Sequence, residues 1–125
     1  MPTPEEALQE LLEMSAGIRQ AVMVRGDDNV LASTFASKES EAVMVEGGRA
    51  MLQDARREGK EMGRDKLTQL FIEAKSGCVF IVAGERDTWL AASTGTDPTV
   101  GLVLYDVNTA LRTALEGEAE GDYTK

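Results

Sequence analysis

The sequence predicts an α/β protein, a three-layer α/β/α sandwich whose elements run α-β-β-α-β-β-β-α around a five-stranded antiparallel sheet. Three observations predict it. Apolar residues recur at helical spacing in three separate segments, short apolar runs are joined by turn-sized links, and the first and fourth of these runs are almost wholly apolar. Strands with so few polar residues leave neither sheet face to water, so helices must cover both.

The first helix begins at Thr3 or Pro4. Leu8, Leu11, Leu12 and Ser15 follow at helical spacing, Glu5 and Glu6 stand where the helix dipole favours acids, and the helix ends near Gly17. Residues 19–25 read as a buried strand, GDDN as a tight turn whose residues tolerate positive φ, and residues 30–34 as the returning strand. The tetrapeptide AVMV in this hairpin recurs at residues 42–45 in different surroundings. Ser37 can cap a helix there, and Val43, Met44, Gly47, Gly48, Met51, Leu52 and Ala55 keep a 3.6-residue period, which predicts a long helix over residues 37–58. The rival reading is a strand at 42–45 turning at Gly47. Three more strands follow, at 67–75, 78–83 and 88–93, linked by Ser-Gly and by GERD. The loop STGTDPTVG leads to a last helix over residues 99–115, with Val100, Val103, Leu104, Val107, Leu111 and Leu115 on its apolar face. Residues 1–115 are expected to form one domain, and 116–125 an acidic, disordered tail carrying Glu116, Glu118, Glu120 and Asp122.

Composition narrows the function classes. The formal charge of -9, from 22 acidic against 13 basic residues, disfavours nucleic acid or an anionic membrane as partner. No apolar run is long enough to cross a membrane, the N-terminus does not read as a secretory signal, and the one cysteine cannot form an internal disulfide, so a cytoplasmic protein without membrane insertion is expected. Arg56, Arg57, Lys60, Arg64 and Lys66 form a local basic stretch, read either as a solvated helix end or as a patch for an acidic partner.

Catalytic chemistry is sparse. The absence of histidine excludes His-based triads and His metal ligands, and a single cysteine excludes CxxC redox and zinc motifs. Cys78 reads as a core residue, and no GxxxxGK[ST] phosphate loop is present. Asp27 and Asp28 are explained by turn hydrogen bonding better than by an acid pair or metal site, and Trp89 as a packed or rim aromatic. No catalytic residue, cofactor or metal is expected.

Together the residues resemble the Roadblock family, related to a dynein light chain and to bacterial gliding-motility regulators of small GTPases. The carriers are LQELLEMSAGI, the hairpin QAVMVRGDDNVLAS, the small-residue-rich helix AVMVEGGRAMLQDA, the strand pair LTQLFIEAKSGCVFIVAGE and the closing TVGLVLYDVNTAL, which span about residues 5 to 115. The resemblance implies a Roadblock/profilin-like sheet ordered 2-1-5-4-3, and a homodimer in which the third strand pairs across a two-fold axis while the middle helices pack together. An apolar edge strand is a template for another chain, and a glycine pair admits a close neighbouring helix, although the same pair would also let the helix lie close on its own sheet. The expected interface comprises Met44, Gly47, Gly48, Met51, Leu52 and Ala55 of the helix with Leu70 and Ile72 of the edge strand. The implied function is that of a homodimeric, non-catalytic regulator or scaffold that binds a Ras-like small GTPase and modulates its cycle. Arg49, Arg56, Arg57 and Arg64 are the candidate partner contacts. The alternative is a small-ligand sensor or an orphan enzyme on the same fold, with its pocket at the STGTDPT loop, where helix N–H groups can receive an anion.

Overall fold

A computed structural model describes residues 2–123, with side chains through residue 119. The elements are α1 (Pro4–Met14), β1 (Ile18–Arg25), β2 (Asn29–Ser33), α2 (Lys38–Glu61), β3 (Gln69–Ala74), β4 (Gly77–Ala83), β5 (Thr88–Thr94) and α3 (Val100–Tyr123). Every sheet pairing is antiparallel and the strand order is β2-β1-β5-β4-β3. The layered class expected from the sequence and the strand order that the resemblance implies are both present.

Local chemistry sets the elements. Thr3 caps α1 in a reciprocal box: its Oγ accepts from the Glu6 N–H at 3.2 Å and its own N–H donates to Glu6 Oε1 at 3.0 Å. Ser37 caps α2 by accepting from the Ser40 N–H at 3.0 Å, so the second AVMV lies in a helix and not in a strand. Gly26 turns the first hairpin at φ +68°, and Arg86 and Asp87, both at positive φ, turn the chain between β4 and β5.

Alternation along the strands divides the core. Ala21, Met23, Phe80, Val82, Leu90 and Ala92 point to the side covered by α1 and α3, where they meet Leu8, Leu11, Val107 and Leu111. Val22, Val24, Ile81, Trp89 and Ala91 point to the other side, under Val45 and Leu52 of α2. Cys78 is buried on the α1–α3 side. Among the described residues no helix is long and apolar enough to cross a membrane.

Helix α3 continues well past the end expected at Leu115, so the segment expected to be a disordered tail from residue 116 begins as helix. Its anchor is Glu118, whose carboxylate receives Arg25 Nη1 at 3.0 Å, the second amine of the same guanidinium, and Arg86 Nη1 at 3.1 Å. Arg25 Nε in turn donates to the buried Thr88 hydroxyl at 3.2 Å. The acid expected to lie free in the tail instead fixes the helix to the end of the sheet. The Glu120 and Asp122 side chains and residues 124–125 lie outside the described residues.

Hydrogen bonding from Arg25, followed by that from Arg86, holds the Glu118 carboxyl below the usual glutamate range. Its stabilising contribution is therefore complete above the unfolded-state pKa and is lost as pH falls through the lowered folded-state value. Solvent screening keeps it small. Glu118→Gln should lose about 1 kcal/mol at about pH 7, and the gap from the native chain should close toward about pH 3 in urea denaturation curves.

Candidate docking surface

The candidate surface follows from a mismatch of widths. One α-helix is about 10 Å across, whereas five strands about 4.8 Å apart span roughly 19 Å, so a single helix cannot roof the α2 face. α2 lies over β1 and β5, with Gly48 against Trp89. At the uncovered margin, Leu70 and Ile72 of β3 remain half-buried, as does Val79 of β4, which pairs with Ile72. Among the described residues β3 pairs with β4 alone and forms one edge of the sheet, β2 forming the other. Leu70, Val79 and Met44 all pack against the α2-side core, so helix flank and strand margin belong to one apolar region.

The predicted interface residues separate into two groups. Gly48 is buried, Leu52 is 1% exposed, and both face their own sheet. A Cβ on Gly48 would lie 2.7 Å from the Trp89 ring, whose Nε1–H is tied to the Gly26 carbonyl at 2.9 Å. Gly48 therefore serves packing within the chain, the alternative role the sequence left open for the glycine pair, and Leu52 belongs to the same core. A Cβ on Gly47 would meet nothing within 4 Å, and this glycine stands with Met44 and Met51 on one flank, at i, i+3 and i+7 from Met44. Ala55 is half-buried, while Met51 is exposed and Val43 is 73% exposed. Trp89, at 2% exposure, is a core residue and not a rim aromatic.

The four candidate arginines do not converge. Arg49 faces the β1–β2 turn, bordering a groove with Asp27, Asp28 and Glu41. Arg57 pairs with Asp54 at 3.0 Å and Glu58 at 3.6 Å along the solvent side of α2. Arg56 joins Lys60 and Lys66 around a concavity beside the start of β3, while Arg64 lies in the following loop, 3.4 Å from the Gly63 carbonyl. Asp65 also lines this concavity, and the sequence signal for its basic side was the local concentration of Lys and Arg over residues 56–66, interrupted by Glu58, Glu61 and Asp65.

The STGTDPT loop borders a separate concavity of about 520 Å³, shared with the end of α1 and with Arg19, whose Nη2 would lie 2.8 Å from a Cβ on Gly95. Among the described residues no cluster of three or more His, Cys, Asp or Glu side chains could hold a metal ion.

No protein-family model matches the chain, and no curated protein matches it. Solved structures do. A Roadblock/LC7 domain from Streptomyces avermitilis superposes with a TM-score of 0.85 at 16% identity, covering 94% of this chain and 99% of that one. MglB of Myxococcus xanthus gives 0.79 at 11% identity, covering 93% and 88%. An MglB with a tetrameric arrangement gives 0.78 at 14% identity, covering 91% and 89%. The chain has the Roadblock/LC7 fold.

The two glycines should respond in opposite ways. Gly48→Ala should destabilise the chain by about 1–3 kcal/mol, because the tethered indole cannot retreat freely. Gly47→Ala, with open space above it, should stabilise the helix by up to about 1 kcal/mol. Urea denaturation of the two variants checks both.

Proposed function

We propose that this chain is a homodimeric, non-catalytic regulator or scaffold that docks a Ras-like small GTPase and modulates its cycle. The observation that carries the reading is the apolar region formed by the Met44–Gly47–Met51 flank of α2 and the open β3 edge, on a fold shared with Roadblock/LC7 domains and MglB. A free strand edge beside a half-covered apolar margin suits β-pairing with a second copy, which would bring two α2 helices together. The tetrameric arrangement of one MglB structure supports self-association as a use of this fold. In the dimer the partner contacts would be Met44, Gly47, Met51, Ala55, Leu70 and Ile72, with Gly48 and Leu52 supporting the helix from beneath.

The GTPase would bind across the paired α2 helices. Arg49, Arg56, Arg57 and Arg64 border that surface at different points and could contact acidic or phosphate groups of the partner. Their dispersal supports docking and orientation of the GTPase more than delivery of one arginine to a transferring phosphate, which needs a single well-placed guanidinium. In this reading any effect on hydrolysis comes from positioning the partner's own catalytic groups.

A second reading has one observation in its favour. The concavity at the STGTDPT loop joins the N-terminal end of α3 to Arg19, a combination that suits a small anion. A thermal-shift screen with nucleotides, phosphate and small carboxylates should leave the melting temperature unchanged under the first reading; a saturable shift abolished by Arg19→Gln would favour the second.

For the dimer, Gly47→Gln combined with Ile72→Lys should give a folded monomer by light scattering, weakening association by about 2–4 kcal/mol. An unchanged dimer would place the interface elsewhere. For the partner, co-elution with a Ras-like GTPase encoded beside this chain should occur in one nucleotide state and alter GTP turnover. Absence of binding in both nucleotide states would remove the GTPase reading.

A further inference from the structure

The side of the molecule opposite α2 carries a different surface. α1 and α3 lie side by side, and the small residues Ala7 and Ala110 at their contact leave a groove floored by these alanines and Leu11. Its volume, about 250 Å³, is below the roughly 300–1,000 Å³ of ordinary small-molecule pockets, so it suits an anchoring side chain better than a free ligand. Met14 and Tyr105 stand at its border, 70% and 66% exposed. Met14 also borders the neighbouring concavity beside Leu102, which is 58% exposed, so Leu102, Met14 and Tyr105 extend the apolar surface beyond the groove. Large apolar side chains gathered in this way on a highly charged chain mark an interaction surface.

Charge specifies the occupant. Glu10 and Asp106 are the charged residues lining the groove, and α1 carries Glu5, Glu6, Glu10 and Glu13 with no lysine or arginine. Such a rim repels nucleic acid and anionic lipid and attracts cations. Two adjacent helix surfaces with a shallow seam between them receive a third helix through anchors at i, i+3 or i+4, and i+7. We infer that the α1–α3 groove docks a basic amphipathic helix of a partner protein, its large apolar side chains seated at Leu11, Met14 and Tyr105 and its lysines or arginines facing Glu10, Glu13 and Asp106. The inference does not depend on the α2 surface, since the sheet separates the two.

The test uses the full chain and three fluorescein-labelled synthetic helices of equal length: leucine and lysine at amphipathic spacing, leucine and glutamate at the same spacing, and serine and lysine. Fluorescence anisotropy should show saturable binding of the leucine–lysine helix, weakened by salt, and binding at least about tenfold weaker for the other two. Met14→Ser with Tyr105→Ser, whose side chains are exposed and whose fold circular dichroism would verify, should weaken the leucine–lysine helix about tenfold. Equal binding of the leucine–glutamate helix, equal binding of the serine–lysine helix, or unchanged binding to the double variant would each overturn the inference.

Discussion

The seating of Trp89 organises much of this molecule. Its indole lies beneath α2 in the space that Gly48 leaves free, and its N–H is held by the carbonyl of Gly26 in the first hairpin turn. One side chain thus ties together β5, the β1–β2 turn and the long helix. The Gly26 N–H closes the arrangement by donating to the Asp87 carbonyl at 2.7 Å, joining the two turns at the same end of the sheet. With the height of α2 set from below, the choice of residues on its remaining faces is released from core packing. Those faces are where exposed methionine, valine and arginine side chains occur.

The two sheet faces solve unequal problems. Two helices cover one and a single helix covers the other, so the uncovered margin falls on the α2 side at the open edge. Edge strands are commonly blunted by charge, proline or a bulge, yet β3 has only Glu73 as a charged residue and no proline. The free edge and the unroofed margin consequently reinforce one another. On the opposite face the helices cover the sheet but not themselves, and Met14, Leu102 and Tyr105 remain in solvent.

Much of this architecture was legible in the sequence because periodicity and punctuation agreed. GDDN marked the first turn, and Ser37 marked the start of a helix that β-favouring Val43 and Val45 alone would not have revealed. What stayed hidden depended on contacts distant in sequence. Gly47 and Gly48 are adjacent and chemically identical, and only the Trp89 indole, far along the chain, gives them different roles. Glu118 read as one more acid in a charged tail because Arg25, its partner, lies ninety-three positions earlier. Likewise the basic residues formed a visible run, but a helix distributes neighbours about 100° apart, so adjacency in sequence did not become convergence in space. The α1–α3 groove drew no attention in the sequence because each of its walls reads as an ordinary amphipathic helix.

The antiparallel edge at β3 also has a consequence for valency. Two copies joined there by a perpendicular two-fold axis would continue one sheet without turning it over, placing both α2 helices on one side and both α1–α3 grooves on the other. The assembly would be two-faced, with one composite platform and, behind it, a pair of identical acidic seats at a fixed spacing. A partner bearing two suitably spaced helices would then bind its second seat at an effective concentration set by its linker, and avidity could multiply a weak single-site affinity without any new contact.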